Sequence, residues 1–216
     1  MKSLFIEAKR KFENLSFDFS MISGFRRIGL LSTVQFLPIV GLVERELNKK
    51  HIKTEKSKTL YNETQILGCD VTVAEKIKDK VDAFLLLSSG KWHALMVSAI
   101  GKPVFIYNGE RIEKIPEEDI RRFNARKKAA LMKFLSEDKI GILVSLKPGQ
   151  YHLKEALELK KKLDKKKKQS IIFIADTFNL SEFENYGMKI FVNTACPGMF
   201  FDSSNILNVS EIPEDF

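Results

Sequence analysis

The run Val81-Asp82-Ala83-Phe84-Leu85-Leu86-Leu87 (VDAFLLL) decides the fold of this 216-residue chain. Its apolar residues follow one another without alternating with polar ones, which is typical of a strand buried on both faces of a parallel sheet. Ser88-Ser89-Gly90 ends the run, and a predicted helix at 93–99 precedes the next predicted strand, at 103–107. A strand, a helix and a further strand in this order predict an α/β fold.

The same rhythm recurs on both sides of this run. Towards the N-terminus we predict strands at 27–34 and 64–67, and helices at 36–48 and 71–80. Further along the chain we predict strands at 139–145, 170–175 and 189–192, and helices at 151–168 and 180–185. The recurrence predicts two similar small α/β domains, about 25–108 and 138–216, each a mainly parallel sheet flanked by helices and related by duplication.

Two further helices are predicted outside these domains. In residues 1–24, Phe5, Ala8, Phe12 and Leu15 recur at spacings of three and four, which predicts an amphipathic N-terminal helix. Residues 109–137 are predicted to connect the two domains, with a long basic helix at 117–136.

The formal net charge is +8, and a large part of it lies in the lysine run at 160–168. Such a run is typical of the solvated end of a helix, although the balance favours an acidic partner. Aromatic residues do not alternate with the basic ones, so direct nucleic-acid binding is not expected. No apolar run reaches the roughly 18 residues of a membrane span, and the N-terminus lacks the apolar core of a secretory signal. These features predict a cytoplasmic protein.

Open parallel α/β sheets bind ligands beyond the carboxyl ends of their strands. The predicted strands place five loops there, which makes these edges the first place to look for a site. The loops lie at 33–35, 68–69, 88–90, 145–150 and 194–196.

The only two cysteines, Cys69 and Cys196, each follow a predicted strand. They can be buried and unreactive thiols, since free cysteine is among the most buried residue types. A reducing cytoplasm disfavours a disulfide, and the lack of a CxxC pair disfavours zinc, with His51, His93 and His152 all distant in sequence from the cysteines. A soft metal cluster held by cysteines from different domains stays open as the sharper alternative.

Five segments, taken in order, resemble the diphthamide synthase family, over about residues 25–210. Two of them resemble its second and third cysteine motifs, and the other three resemble an opening strand, a Gly-aromatic-His segment (with Ala94 where the family has proline) and a loop of its third domain. The cysteine segments are Gln65-Ile66-Leu67-Gly68-Cys69 and Val192-Asn193-Thr194-Ala195-Cys196-Pro197. The opening strand is Ile28-Gly29-Leu30 with Thr33-Val34-Gln35, and the Gly-aromatic-His segment is Ser88-Ser89-Gly90-Lys91-Trp92-His93-Ala94-Leu95. The third-domain loop is Val144-Ser145-Leu146-Lys147-Pro148-Gly149-Gln150.

The resemblance implies three similar α/β domains around a [4Fe-4S] cluster, each domain giving one cysteine. It implies that Cys69 and Cys196 are metal ligands and that S-adenosylmethionine binds as substrate at the open iron. Cleavage of a carbon–sulfur bond by the reduced cluster would release a 3-amino-3-carboxypropyl radical, which adds to a histidine of elongation factor 2 in the first step of diphthamide synthesis. The cofactor-binding residues expected are Gln35, Gly90, His93, Ser145, Lys147, Pro148, Gly149 and Gln150.

The loop at 147–150 has groups that suit the amino acid end of this substrate. Its backbone N–H groups, near a helix start, can bind a carboxylate, and Gly149 allows close approach of the backbone. The amides of Gln150 and Gln35 can both donate and accept hydrogen bonds. Lys147 is either a charge partner or an exposed loop lysine, and His93 is expected to be a structural hydrogen-bonding residue.

Only residues 1–24 precede the match to the family's second domain, so the first domain and its cysteine have no counterpart here. We therefore expect either a subunit or shortened form of the enzyme or a non-catalytic scaffold that retains the fold. The subunit would need a homologous subunit or a separate first-domain protein for the third cysteine. A nucleotide-binding protein without a cluster is a weaker alternative, since neither a GxGxxG nor a GxxxxGK loop is present.

Overall fold

A computed structural model of the chain describes residues 6–57, 63–68, 70–200 and 203–216, apart from the side chains of 180, 181, 184, 199 and 200. The chain divides into two compact units, Met1–Ile120 and Arg121–Phe216. Each contains one mainly parallel sheet flanked by helices, which confirms the predicted α/β class. No helix among the described residues has both the length and the apolar character needed to span a membrane.

The first unit contains a five-stranded sheet of order β2-β1-β3-β4-β5. Its first four strands are parallel, and β5 pairs with β4 in the antiparallel direction. The strands are β1 (Arg27–Ser32), β2 (Lys53–Glu55), β3 (Ala83–Leu87), β4 (Val104–Tyr107) and β5 (Ile112–Lys114). The α-helices are α1 (Val40–Lys49), α2 (Thr72–Glu75) and α3 (Lys91–Ser98), and the 3-10 helices are Ser20–Ile22, Val34–Ile39 and Lys78–Lys80.

The second unit contains a four-stranded parallel sheet of order β7-β6-β8-β9. The strands are β6 (Lys139–Ser145), β7 (Gln169–Ala175), β8 (Phe191–Asn193) and β9 (Ile206–Asn208). The α-helices are α4 (Glu117–Ser136), most of which lies in this unit, and α5 (Leu153–Lys165), and the 3-10 helices are Leu180–Tyr186, Pro197–Phe200 and Val209–Glu211.

Both sheets share one plan, in which the first strand lies between the second and the third and the fourth pairs with the third. The two also share a close cross-strand pair. Gly29 on β1 lies opposite Phe84 on β3, and Gly141 on β6 lies opposite Phe191 on β8. A Cβ atom on Gly29 would lie 2.5 Å from Phe84 Cδ1, and one on Gly141 would lie closer still to Phe191 Cδ1. Only glycine leaves room for these rings, so the same packing device recurs in both units.

The buried strand β3 confirms the interpretation of VDAFLLL, since all five of its residues are buried. In the first unit β3 contributes Ala83, Leu85 and Leu87 to a core shared with β1, β4 and α1. In the second unit α4 and α5 cover one side of the sheet. Leu143, Phe191 and Ile206 form a separate cluster with aromatic residues between β7 and β8.

The predicted N-terminal helix is wrong for the described residues, because residues 6–19 form no helix. This segment runs along the first unit, where the Arg10 amide donates to Gln35 O at 3.0 Å and the Ser16 amide donates to Gly109 O at 3.1 Å. Leu15, Phe17 and Phe19 pack at every second position into the core, a spacing of extended chain. Their contacts with the sheet outweigh the helical spacing of Phe12 and Leu15.

Short elements differ most from prediction. The strands β2, β5 and β9 have three residues each and were not predicted, since polar sequences such as Lys53–Glu55 carry no apolar pattern. The predicted strand at 64–67 is reduced to two isolated bridges, one between Ser32 and Gln65 and one between Leu67 and Asp70. The predicted helix at 71–80 is divided into α2 and the 3-10 turn Lys78–Lys80.

Candidate functional site

The carboxyl edge of the second sheet brings two of the predicted loops together. Strands β6 and β8 are adjacent and parallel, so the loops that follow them, 146–150 and 194–196, leave the sheet at the same edge. Thr194 fastens the second loop to β6, because both its amide (3.1 Å) and its hydroxyl (2.8 Å) donate to Leu143 O.

The loop that carries Cys196 is held in shape by the side chain of Asn193, which is 1% exposed. Asn193 Nδ2 donates to Cys196 O at 3.0 Å and to Asn208 Oδ1 at 2.9 Å. Asn193 Oδ1 accepts from the Ala195 amide at 3.0 Å. One side chain therefore fixes the backbone on both sides of the position from which the thiol projects. Cys196 itself is half-buried and has a free thiol.

Asn208 extends this network to α4. Its amide donates to Glu211 Oε2 at 3.1 Å, and the two residues form a capping box at the start of the 3-10 helix Val209–Glu211. Lys127 on α4 pairs with Glu211, with 2.7 Å between Nζ and Oε1. The Cys196 loop is thereby connected through side chains to the longest helix of the chain.

The loop after β6 is a tight turn rather than an open row of donors. The buried Ser145 hydroxyl accepts from the Lys147 amide at 3.1 Å, and the Gln150 amide donates to Lys147 O at 3.0 Å. Gly149 has a φ of +76°, a conformation that favours glycine. A Cβ on Gly149 would meet nothing within 4 Å, so the space beside it is open. Within the described residues, only Gly149 of this turn retains an amide with no protein acceptor.

Two side chains of this loop are available to a ligand. Gln150 Oε1 is buried and has no hydrogen-bond partner within the described residues, which is unusual for a buried acceptor. The exposed Lys147 makes no ion pair within the same residues. The helix that follows begins at Leu153, two residues after the predicted start at 151, so residues 147–150 precede its first turn.

The first unit presents a comparable edge. The amide of Thr33, after β1, donates to Leu87 O on the adjacent strand β3 at 3.0 Å. The hydroxyls of Ser32 and Thr64 lie 2.9 Å apart and are buried. Asp70 N–H donates to Leu67 O at 2.8 Å. Cys69 itself lies outside the described residues.

The other predicted residues of the first unit also lie at its carboxyl edge. Gly90 is the N-cap of α3, and its amide donates to Ser88 Oγ at 3.3 Å. His93, in the first turn of α3, is half-buried, and this burial lowers its pKa below the usual 6.5. Its ring lies 4.5 Å from that of Trp92. The Trp92 indole also lies beside Gly68, where an added Cβ atom would be 3.5 Å from it. The Gln35 side chain is exposed, and its carbonyl holds the N-terminal segment.

The comparisons with known proteins point to one family. A sequence model described as "Putative diphthamide synthesis protein" matches residues 1–208. The chain belongs to the diphthamide synthesis family. It is 27% identical over 138 residues to a 2-(3-amino-3-carboxypropyl)histidine synthase of Pyrococcus horikoshii, an alignment that covers 64% of this chain and 40% of that protein.

Solved structures of the diphthamide synthesis family share the fold. A crystal structure of Dph2 from Pyrococcus horikoshii superposes with a TM-score of 0.78 and 23% identity, covering 93% of this chain and 62% of that one. A second structure of the same protein, with a 4Fe-4S cluster, gives a TM-score of 0.76 and 24% identity, covering 90% and 58%. The chain thus spans less than two thirds of the length of these relatives.

The donor set of this family member fits an iron–sulfur cluster in part. Cys196 is a free thiol on a loop of fixed shape, and thiolates are the usual ligands of such clusters. The described residues contain no group of three or more His, Cys, Asp or Glu side chains that could hold a metal ion. The sequence did not predict Asn193, Thr194 or Asn208 as site residues. Asn193 could have been found, because it is a polar residue at the end of the apolar strand β8.

Proposed function

We propose that this chain is a subunit or shortened form of the enzyme that transfers a 3-amino-3-carboxypropyl group from S-adenosylmethionine to a histidine of elongation factor 2. In this proposal Cys69 and Cys196 are ligands of a [4Fe-4S] cluster, and the chain functions in the cytoplasm. The observation that carries it is the free thiol of Cys196, which Asn193 and Thr194 hold at the carboxyl edge of the sheet in a member of the diphthamide synthesis family.

The cluster, when bound and reduced, supplies the electron that cleaves a carbon–sulfur bond of the sulfonium substrate. The protein's own residues bind and orient that substrate. The unpaired Gln150 Oε1 is an acceptor suited to the ammonium group, and Lys147 is a cation suited to the carboxylate. The free Gly149 amide adds a donor in a position where open space leaves room for the ligand.

The 216 residues contain two cysteines, one fewer than the proposed cluster needs. We propose a homologous subunit or a separate first-domain protein as the source of the third cysteine. Elongation factor 2 is the proposed substrate protein, and the net charge of +8 favours an acidic surface on it.

The first test is an anaerobic measurement of iron and sulfide bound to the purified chain after reconstitution, alone and with a candidate partner. We expect Cys196→Ser and Cys69→Ser each to lose most of the iron and the charge-transfer absorbance. Ser136→Ala, on α4 outside both cysteine loops, is the control and should retain them. Iron content that is unchanged in both cysteine variants would contradict the proposal.

The alternative is a scaffold or adaptor that keeps the fold without the chemistry. It predicts that cells in which the double variant Cys69→Ser/Cys196→Ser replaces the natural chain still make diphthamide at the normal level. The enzymatic proposal predicts that such cells make none, which mass spectrometry of elongation factor 2 can measure.

A further inference from the structure

The hydrogen bonds around Asn193 have a fixed polarity. The Ala195 N–H can only donate and the Cys196 C=O can only accept, so the first bonds to Asn193 Oδ1 and the second to Asn193 Nδ2. Two backbone groups thus independently give the side-chain amide one orientation. Because Asn193 is 1% exposed, the second hydrogen of Nδ2 needs an acceptor within the protein as well.

The acceptor for this second hydrogen is Asn208. Asn208 Oδ1 lies 2.9 Å from Asn193 Nδ2. Asn193 is the last residue of β8 and Asn208 is the last residue of β9, and the two are partners in the register of these parallel strands. The register of the sheet therefore brings the two side chains together at the carboxyl edge.

Asn208 is held on its other side as well. Its backbone N–H donates to Glu211 Oε2 at 3.1 Å, and in the capping box its side chain accepts from the Glu211 backbone N–H. Lys127 Nζ, 2.7 Å from Glu211 Oε1, fixes the carboxylate in turn. The side chain of Asn208 thus acts as an acceptor towards both of its neighbours, Glu211 and Asn193.

We propose that Asn208 is a positioning residue for Cys196, to which it acts through Asn193. With Asn208 in place, the Asn193 amide is held on Cys196 O, so the backbone from which the thiol projects keeps one conformation. Without Asn208, one N–H of this buried amide loses its acceptor, and the amide is free to turn towards another. The value of this for function rests on the proposed role of Cys196 as a cluster ligand, but the hydrogen bonds themselves do not depend on a cluster.

The polarity separates this proposal from a general packing role. Aspartate at position 208 still offers an acceptor to Asn193 Nδ2 and is a favoured N-cap residue, and Lys127 offsets the added charge beside Glu211. Aspartate at position 193 replaces the donor by an oxygen that faces two acceptors, Cys196 O and Asn208 Oδ1. The same change of amide to carboxylate should therefore be tolerated at 208 and disruptive at 193.

The first experiment measures the rate at which a small disulfide reagent modifies Cys196 in the full chain, in a Cys69→Ser background. Asn208→Ser keeps an N-cap oxygen, but its side chain is one bond shorter and does not reach Asn193. The rate should rise about tenfold in Asn208→Ser, the factor that corresponds to one lost hydrogen bond, and should change less than about twofold in Asn208→Asp.

The control is Asn205→Ser, just before β9, because the Asn205 side chain bonds to Lys133 and not to Asn193. It should react at the rate of the unsubstituted chain. Asn193→Asp should react at least about tenfold faster than Asn208→Asp. A rate for Asn208→Ser equal to that of the control would overturn the proposal, and so would equal rates for the two aspartate variants. Where Asn193→Asp does not fold, equal rates for serine and aspartate at 208 overturn it.

A second experiment addresses the cluster. After anaerobic reconstitution with a candidate partner, the chain with Asn208→Ser should release iron to a chelator several-fold faster than the chain with Asn208→Asp, which should match the unsubstituted chain. Equal release from both variants would refute a positioning role in the cluster site. An unsubstituted chain that takes up no iron would refute the proposed function instead, and the thiol rates would still decide whether Asn208 positions Cys196.

Discussion

The Asn193 side chain should control both the stability of the second unit and the reactivity of Cys196. Leucine has nearly the same shape, so Asn193→Leu removes the polar atoms while leaving little empty space. It breaks three hydrogen bonds, to Cys196 O, to Asn208 Oδ1 and from the Ala195 amide. At a net value of about 1 kcal/mol each, the variant should lose roughly 3 kcal/mol of unfolding free energy.

Urea unfolding measures this loss, and two signals separate the two units. Far-ultraviolet circular dichroism reports on both, whereas Trp92, the only tryptophan, reports on the first unit. We expect Asn193→Leu to shift the circular dichroism transition and to leave the fluorescence transition of Trp92 in place.

The reaction of Cys196 with a thiol reagent is the second assay, carried out in a Cys69→Ser background so that one thiol remains. The rate should increase because the backbone on both sides of Cys196 is released. Asn108→Leu is the matched control, since Asn108 Oδ1 accepts from the Glu110 and Arg111 amides in the first unit at 2.9 and 3.0 Å. The reasoning fails if Asn193→Leu changes unfolding by less than about 0.5 kcal/mol and leaves the thiol rate at that of the control.

Three further predictions follow from packing, burial and the unpaired acceptor. Gly141→Ala should lower the free energy of unfolding in urea by about 1–3 kcal/mol, because the added Cβ meets the Phe191 ring. Phe191→Leu in the same chain should restore part of this loss. Gly41→Ala is the control, since a Cβ at Gly41 would lie in open space. Burial lowers the pKa of His93 below the usual 6.5 in the folded state, so the unfolded chain binds this proton more readily and stability should fall as the pH drops below about 6.5. His93→Gln should flatten this slope, and an identical slope would contradict the burial argument. Gln150→Leu should weaken equilibrium binding of S-adenosylmethionine about tenfold, whereas unchanged binding would exclude Gln150 Oε1 as a ligand group.

The sequence predicted long elements well because their signals are redundant. The helix α4 and the strand β6 begin and end at the predicted residues, since twenty helical residues and a continuous apolar run outweigh local exceptions. The N-terminal segment was mispredicted because its helical spacing competed with an alternating one, and only contacts with Tyr107 and Gly109 decide between them.

The candidate site was predictable to the level of its loops but not of its hydrogen bonds. Strand ends place the Cys196 loop and the 145–150 loop at one edge, and this arrangement follows from topology alone. That the Lys147 and Gln150 amides are consumed within their own turn depends on the position of the Ser145 hydroxyl and on the left-handed Gly149. Such details require coordinates, because many loop conformations suit the same six residues.

The N-terminal segment has a consequence for synthesis of the chain on the ribosome. Tyr107 Oη donates to Ser16 O at 2.7 Å across a separation of 91 residues. Ser16 therefore leaves the ribosome roughly 5–20 s of translation before Tyr107 does. During that interval β4 is not yet available to Phe12, Leu15, Phe17 and Phe19, so these apolar side chains cannot be fully buried. Exposed apolar segments of this kind are what chaperones bind. The N-terminal segment of the first unit can therefore take its final position only after β4 and the turn at Gly109 have been synthesised.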